Sequence, residues 1–301
     1  MRGEVTAILS SERINKLKVA TRIDLSEEKD DLSILYKKDG DYIKSFLIPK
    51  KYPSSIINVV KASTLSNKVV VIPKNKMDWI DGELLLIANS SDSKACVVDS
   101  KNSEIKKLIT ASKLNIEVSE YGEHCIEAIE NTDKGFIYID RVFTVKGIGT
   151  IMLGFTFTKV ERHDKLIALP SMKTVEVKNI QVLDENQQSV EPKVRIGIAL
   201  KGIKAEEVKG TYALIPVGKE TLKKIEGSFV KYPWNEVKQG KTYHLISNGI
   251  VVTGKVKHHS NNKLDLELSK PLPKLNRLLI VDVNLPLGKP RILGYVQLDN
   301  I

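Results

Sequence analysis

The spacing of apolar residues changes near residue 137 of the chain. Before that point, short apolar runs alternate with stretches whose apolar residues recur at helical spacing. The apolar runs are Val5–Leu9, Leu32–Tyr36, Val69–Ile72, Ala95–Val98 and Ile116–Val118. The helical stretches are Glu12–Ala20, Ser54–Ala62, Ile80–Asn89, Ser103–Ser112 and Glu123–Glu130. Buried strands that alternate with helices predict a mostly parallel α/β sheet.

From residue 138 onward, strand patterns replace the helical ones. Turn signals such as Asn248-Gly249 separate the β-rich segments. These segments are Ile148–Thr158, Lys165–Leu169, Thr174–Val182, Val194–Leu200, Tyr212–Val217, Thr242–Ile246, Ile250–Lys257, Lys263–Leu268, Leu278–Asn284 and Arg291–Leu298. So many short strands predict closed β-barrels or sandwiches. A break near Gly218–Ile225 divides them, so we expect three domains at residues 1–137, 138–218 and 219–301.

Positive charge is concentrated in the C-terminal part. The 301 residues carry a formal net charge of +10 at pH 7. Residues 1–137 contain 21 basic and 21 acidic side chains, residues 138–218 contain 12 and 9, and residues 219–301 contain 14 and 7. Such an excess suggests a polyanionic partner such as RNA. The alternative is a Lys-rich solvated surface that binds nothing.

The remaining composition argues against several classes of protein. Cys96 and Cys125 are the only cysteines, which is too few for a disulfide framework or a zinc cluster, and Cys125 is expected to be a core residue. None of the five histidines has a metal-ligand spacing. No apolar stretch reaches the roughly 18 residues of a membrane helix, and the N-terminus has no signal-peptide pattern. We therefore expect a cytoplasmic monomer with no metal, no cofactor and no membrane association.

Three segments of the second unit carry a more specific pattern. They are Arg141–Gly154, Thr174–Val182 and Val194–Gly210. The first contains Gly147-Ile-Gly149-Thr150, whose glycines permit a tight turn between two alternating strands. In this order, the segments resemble the opening hairpin, the central strand and the closing strand of the second domain of translational GTPases.

The last unit resembles the third domain of the same class. Tyr243–Val256 and Pro290–Val296 are most similar to the selenocysteine-specific, SelB-like branch. The chain is therefore identified as a member of the elongation factor Tu and selenocysteine-specific class. This resemblance implies a Rossmann-like GTPase domain followed by two β-barrels. The chain ends at Ile301, so we expect the messenger-RNA-binding fourth domain of that branch, and with it selenocysteine insertion, to be missing.

The resemblance also implies a GTP site in the first domain, but its motifs are degenerate. A P-loop needs two glycines around the phosphates, a Lys, and a Ser or Thr on Mg²⁺. After Val5–Leu9 both glycines are missing, Lys16 matches the Lys, and Leu17 cannot bind a metal. We further expect Lys37 to replace the Asp of an Asp-x-x-Gly motif, and no guanine-reading Asn-Lys-x-Asp after the fifth strand. The degenerate site comprises Ser10, Asn15, Lys16, Leu17, Lys37, Gly40, Lys101 and Ser119. We therefore expect a pseudo-GTPase and not an enzyme.

Two other motifs allow more than one interpretation. Asn75-Lys76-Met77-Asp78 matches the guanine motif letter by letter, but it follows the fourth strand, so we interpret it as a coincidental Lys-rich loop. Tyr232-Pro233-Trp234 is either an aromatic platform for a base or a loop anchored on the core. We favour the anchored loop.

The resemblance finally implies a role in translation. The second barrel of this class contacts the small ribosomal subunit and, in carriers of transfer RNA, the acceptor end. We expect a nucleotide-independent factor that binds ribosomal RNA and occupies idle ribosomes, in hibernation or inhibition. The candidate RNA contacts are Lys146, Lys178, Lys201, Lys255, Lys257, Lys263 and Arg291. The alternatives are a carrier of transfer RNA, a protein-interaction scaffold, and an active GTPase with non-standard residues.

Overall fold

Three β-sheets follow one another along the chain. The computed structural model describes residues 1–10, 32–98, 103–119, 125, 132–234, 236–260 and 262–298. The predicted helices over residues 12–20 and 123–130 fall in ranges that are almost entirely outside the described residues.

The first sheet has six strands in the order β2-β3-β1-β4-β5-β6. Strands β3, β1, β4, β5 and β6 are parallel, and β2 runs antiparallel to β3. The strands are β1 (Arg2–Ser10), β2 (Leu32–Asp39), β3 (Tyr42–Pro49), β4 (Lys68–Ile72), β5 (Lys94–Val98) and β6 (Glu117–Ser119). The helices are α1 (Ile56–Leu65), α2 (Trp79–Ser90) and α3 (Ser103–Ala111). The predicted mostly parallel α/β sheet is confirmed.

Strand β3 corrects the position assigned to the Asp-x-x-Gly motif. Lys37 and Gly40 lie at the β2–β3 hairpin, where Asp39 pairs with Tyr42. Because β3 is parallel to β1 and Tyr42 pairs with Arg2, this hairpin lies beside the amino end of β1. A phosphate site in a parallel sheet lies outside the carboxyl ends of the strands. The prediction that Lys37 and Gly40 belong to the GTP site is therefore wrong, because a whole strand separates them from that edge.

The second sheet closes into a barrel. Its order is β10-β15-β7-β8-β14-β11-β12, and an additional pairing of β10 with β11 joins the two sides. The strands are β7 (Ile137–Val145), β8 (Gly149–Thr156), β9 (Val160–Glu161), β10 (Lys165–Leu169), β11 (Lys173–Val182), β12 (Glu185–Gln187), β13 (Ser189–Val190), β14 (Arg195–Leu200) and β15 (Ala213–Pro216). A short 3-10 helix spans Ala205–Val208. Gly147 and Gly149 in the β7–β8 turn have φ of 81° and 110°, as their predicted role in a tight turn requires.

The third sheet is a closed barrel in the order β16-β19-β18-β17-β20-β21. Its strands are β16 (Thr221–Lys231), β17 (Thr242–Ser247), β18 (Ile250–Ser260), β19 (Lys263–Pro273), β20 (Arg277–Val281) and β21 (Ile292–Gln297). The prediction of one α/β unit followed by two β-barrels is confirmed.

One hydrophobic core runs through all three units. Buried residues of the first sheet and α2, such as Val5 and Leu84, belong to the same contiguous cluster as Phe155 of the second barrel and Ile280 of the third. The three units therefore pack against one another through buried apolar side chains, and their contacts are not confined to the edges of each unit. None of the described helices is long and apolar enough to span a membrane.

The two cysteines correct another expectation. Cys96 in β5 and Cys125 are joined by a single disulfide, which the cysteine count alone did not predict. Both are buried beside Ile8 and Phe46, on the face of the first sheet opposite α1 and α2. The expectation of a reducing compartment therefore loses the support of the cysteine count.

Candidate nucleic-acid interface

The carboxyl edge of the first sheet holds two of the predicted GTP-site residues. Ser10 ends β1 and Ser119 ends β6. Asn15, Lys16, Leu17 and Lys101 lie outside the described residues. Among the described residues, no three His, Cys, Asp or Glu side chains come together in a way that could hold a metal ion.

The segment after β3 lies at the same edge, because β3 runs parallel to β1. It reads Lys50-Lys51-Tyr52-Pro53, and it contains no carboxylate that could act on Mg²⁺. The Tyr52 hydroxyl instead donates to Glu83 Oε2 of α2 at 2.8 Å. Burial first, and then the charge of Glu83, raise the pKa of Tyr52, so the phenol stays protonated as that donor.

Asp78 of the literal guanine motif has a local structural role. Its Oδ1 accepts from the backbone N–H of Ile80 at 2.8 Å and caps α2, and the N–H of Asp78 donates to Asp81. The motif follows β4 and lies in the turn that starts the next helix. The interpretation of this tetrapeptide as a structural loop agrees with that position.

A polar groove crosses the outer face of the second barrel. Its main cavity, of about 450 Å³, has an apolar floor that includes Ile148, Ile151 and Ala199. Side chains that can bind phosphates or base edges line its rim. They are Arg162, Lys178, Asn179, Gln181 and Asn186. The side-chain nitrogens of Asn179 and Gln181 donate to Asn186 Oδ1 at 2.6 and 3.1 Å, which fixes part of the rim.

The groove continues toward the first unit as a second cavity of about 350 Å³. Phe143 and Leu183 line it with 39% and 42% of their surface exposed, which is unusual for large apolar side chains. Tyr36 and Ile43 of the first unit also line this cavity. The groove is thus built from two units, and its walls depend on how they are docked.

Short hairpins position the residues that line the two cavities of the groove. Leu183 and Asp184 have φ of 47° and 64°, the left-handed values of a two-residue turn between β11 and β12. Next to this turn, Glu185 forms an ion pair with Lys38 of the β2–β3 hairpin, with Nζ and Oε1 2.5 Å apart. Arg195 forms a two-point ion pair with Asp140 and lies over the ring of Phe155. Since a bidentate pair fixes a guanidinium in one orientation, the Arg195 wall of the groove is preformed.

The predicted basic contacts are divided between this groove and other surfaces. Lys178 lies on the groove rim, and Lys146 lies exposed in the β7–β8 turn beside it. Lys201 is exposed and pairs with Glu176 at 2.9 Å. The first two therefore have positions from which they could contact the same ligand.

The third barrel carries Lys255, Lys257 and Lys263 on exposed positions of β18 and β19. Acidic residues are interleaved with them, since Lys257 pairs with Glu267 at 2.6 Å and Lys263 lies 3.8 Å from Glu226. This face of the third barrel is therefore basic, but it also carries acidic side chains.

Arg291 does not lie on a surface. Only 3% of it is exposed, and its guanidinium forms a buried ion pair with Glu83 at 2.6 Å. The prediction that Arg291 contacts RNA is therefore wrong, because its charge is enclosed between the first and third units.

The rings of Tyr232 and Trp234 stack, with their centroids 5.2 Å apart, and the two side chains have different environments. Tyr232 is buried, with its hydroxyl 2.9 Å from Ser90 Oγ in the last turn of α2. This agrees with the anchored-loop interpretation of this motif.

Lys193, which precedes β14 at the junction of the units, is fully buried. Its Nζ donates to the carbonyl of Leu65 at the end of α1 at 2.8 Å and lies 4.0 Å from the centre of the Phe157 ring. Burial first, and then the charge of Lys134, lower the pKa of Lys193 well below its usual 10.5. The charged form is therefore disfavoured in the folded protein.

This lysine predicts a dependence of stability on pH. Between the lowered pKa of Lys193 and 10.5, the unfolded chain binds a proton that the folded chain does not, so Lys193 makes the stability rise with pH in that window. Urea unfolding midpoints measured from neutral pH upward should show a smaller rise in Lys193→Met than in the wild type. Lys201→Met, which removes an exposed lysine, is the control and should keep the full rise. Equal slopes for the wild type and Lys193→Met would contradict the assignment.

Sequence comparison finds a relative that matches most of the chain. No protein-family model matches. An uncharacterized protein of Methanocaldococcus jannaschii is 28% identical over 292 residues, covering 89% of this chain and 92% of that protein. Elongation factor 1-alpha of Thermoplasma acidophilum is 36% identical over 74 residues, which are 24% of this chain and 18% of that factor.

Solved structures match the whole chain. The bacterial selenocysteine-specific elongation factor EF-Sec has a TM-score of 0.76 at 17% identity, covering 99% of this chain and 58% of the factor. Elongation factor SelB of Methanococcus maripaludis, in complex with a GTP analogue, has a TM-score of 0.76 at 19% identity, covering 99% of this chain and 79% of SelB. The chain has the SelB fold. The chain thus spans less than two thirds of the bacterial factor that shares this fold.

Sequence reasoning missed most of the groove. Of its rim, only Lys178 was predicted, because a search for positive charge does not select amide side chains such as Gln181 and Asn186. A usable signal was the apolar pair Phe143 in β7 and Ile148 in the glycine turn, two large side chains that are exposed at the groove.

Proposed function

We propose that this chain is a non-catalytic, nucleotide-independent translation factor that binds ribosomal RNA through the groove of its second barrel. We place it in the cytoplasm, where that partner is found. The observation that carries the proposal is the groove itself, which combines an apolar floor, exposed aromatic and aliphatic side chains, and a rim of amide and basic groups.

The chemistry of the groove suits unpaired nucleotides. Bases of single-stranded RNA bind by stacking on aromatic side chains and by hydrogen bonds to their edges. Phe143 offers an exposed ring, and Asn179 and Gln181 offer amide groups within the same groove. Lys178 and Arg162 supply positive charge for the backbone phosphates.

The first unit supports the nucleotide-independent part of the proposal. Its chain after β1 lacks the P-loop glycines, and its chain after β3 has lysines where a carboxylate would act on Mg²⁺. A factor that hydrolyses GTP leaves its site when its switch loops rearrange. A factor without that step leaves at its intrinsic dissociation rate or by displacement, which suits a long-lived occupant of idle ribosomes.

A carrier of transfer RNA is the second candidate. The second cavity favours it, since this cavity extends the groove between two units and its lining includes the apolar side chains of Phe143, Val145 and Leu153. Such a continuation suits the free end of a single strand, because a duplex is too wide to enter it. The elongation factors with the same fold are consistent with either partner.

We expect Phe143→Ala to weaken RNA binding by about fivefold to 100-fold, because stacking on an aromatic ring contributes about 1–3 kcal/mol per base. Extracts of growing and starved cells should be separated on sucrose gradients, and the protein followed by antibody. Wild-type protein should travel with ribosomes or single subunits, with enrichment in starved cells. Phe143→Ala should shift toward the top of the gradient.

Leu108→Ala is the matched control, because Leu108 is also a large apolar residue, with 37% of its surface exposed, on a helix of the first unit. Protein found only with material of transfer-RNA size would favour the second candidate. Protein at the top of every gradient, unchanged by Phe143→Ala, would contradict both.

A further inference from the structure

Helix α2 contains a carboxylate that cannot reach water. Glu83 is the fifth residue of α2, and its side chain has 0% exposed surface. A buried carboxylate needs a charged or hydrogen-bonding partner. In this chain the partner comes from the third barrel, 208 residues away in sequence.

Arg291 meets Glu83 at three points. The backbone N–H of Arg291 donates to Oε1 at 2.7 Å, its Nε donates to the same oxygen at 3.2 Å, and its Nη2 donates to Oε2 at 2.6 Å. The remaining nitrogen, Nη1, donates to the carbonyl of Pro53 at 2.8 Å. We call Tyr52, Pro53, Glu83 and Arg291 the Arg291 cluster. It joins three chain segments from two units.

The third barrel also holds the other end of α2. Arg277 Nη1 donates to the carbonyls of Ser90 and Ser91 at 3.3 and 3.0 Å, and the Tyr232 hydroxyl donates to the carbonyl of Leu86 at 3.2 Å. The carbonyls of Ser90 and Ser91 lie at the carboxyl end of the helix, where backbone carbonyls lack partners within the helix and carry partial negative charge. Glu83 and Ser90 are seven residues apart in α2, which is about 10 Å along the helix axis, so the Arg291 and Arg277 attachments are separate.

Helix α1 is attached to the same barrel. The backbone N–H of Gly249 donates to Thr64 Oγ1 at 3.1 Å. A Cβ at position 249 would lie 2.5 Å from Leu65 Cδ2, so only glycine allows this approach. The third barrel therefore contacts the first unit at three separate places.

From these contacts we infer that the chain holds its first and third units in one arrangement that requires no ligand. A rotation of the barrel about either end of α2 breaks the contacts at the other end. Separation of the units would remove the cation that pairs with Glu83 and break the hydrogen bonds that Arg291 donates to Glu83 and Pro53. In GTPases the segment after the third strand responds to the γ-phosphate. Here Arg291 donates a hydrogen bond to Pro53 of that segment, which attaches the segment to the third barrel without a nucleotide.

The inference can be tested by energy transfer between two dyes on the full-length protein. Lys107→Cys on α3 and Lys223→Cys on β16 introduce exposed labelling sites, and the buried Cys96–Cys125 disulfide does not compete for the dyes. We expect a single narrow transfer population that GTP or GDP with Mg²⁺ does not change. Arg291→Met should increase the population with low transfer at least tenfold, and Arg291→Lys should recover part of the change.

Two further variants keep the result interpretable. Arg277→Gln acts at the other end of α2 and should increase the low-transfer population even if Arg291→Met does not fold. Lys257→Met, which breaks an exposed ion pair within the third barrel, is the control and should have no effect. A nucleotide-induced change as large as that of Arg291→Met would overturn the inference, as would unchanged transfer in both Arg291→Met and Arg277→Gln. The measurement uses no RNA, so its outcome does not depend on the RNA-binding part of the proposed function.

Discussion

Titration of the protein with a fluorescent GTP or GDP analogue in the presence of Mg²⁺ is expected to give no saturable signal. A triphosphate site needs backbone N–H groups around the phosphates, a metal, and carboxylate or hydroxyl ligands for that metal. The residues after β1 include no glycine before Leu17, and the residues after β3 are Lys50 and Lys51. The phosphates would meet lysines but no metal site, so binding should be weak and non-specific.

A dissociation constant tighter than about 10 μM, competed by unlabelled GTP, would contradict this expectation, because about 7 kcal/mol of binding free energy requires an organised site. An active translational GTPase measured in the same buffer verifies the analogue. If binding is detected, Lys16→Ala distinguishes an organised GTP site from non-specific attraction. A site that uses Lys16 would lose its affinity for the nucleotide in this variant, whereas non-specific attraction would barely change.

Reversal of Lys255, Lys257 and Lys263 to Glu is expected to lower the affinity for ribosomes or RNA by about two orders of magnitude at low salt. The three changes remove six units of charge from one face of the third barrel and leave Glu226 and Glu267 without their ion-pair partners. Each phosphate contact that is lost means that one counterion fewer is released on binding. The magnitude of the negative slope of log K against log salt should therefore fall by about 2. Sedimentation or filter binding at several salt concentrations measures both quantities.

The matched control is reversal of Lys76, Lys106 and Lys107, three exposed lysines of the first unit. It changes the net charge of the protein by the same amount. If both triple variants lose affinity equally, only the total charge matters and the third barrel has no specific part. An unchanged salt slope in the Lys255, Lys257 and Lys263 variant would count against a contact at this face.

Local pattern predicted the elements whose shape depends on nearby residues. The glycine turn between β7 and β8 was predicted because only glycine readily adopts the φ of Gly147 and Gly149. The barrel strands were predicted because alternation of apolar and polar residues reports which side chains face a core. Strand β3 could also have been predicted from the sequence, because Asp39-Gly40 between alternating segments is a strong hairpin signal. Missing that strand moved the predicted switch motif to the wrong end of the sheet.

Features that depend on distant residues were not predictable in this way. Nothing near Arg291 in the sequence shows that it will be enclosed with a glutamate of another unit, and an arginine beside a terminal strand resembles a surface residue. Cys96 and Cys125 are 29 residues apart, and their pairing depends on the packing beside the first sheet. The groove is likewise assembled from residues of seven strands, namely β2, β3, β7, β8, β11, β12 and β14, so no single segment of the sequence reveals it.

The separation between Glu83 and Arg291 also constrains the order in which the protein can mature during synthesis. Glu83 leaves the exit tunnel 208 residues ahead of its partner. At about 5–20 residues per second, the first unit waits for roughly 10 to 40 seconds before that carboxylate can be enclosed as an ion pair. During this interval α2 must keep Glu83 hydrated, so its final packing is among the last events of biogenesis.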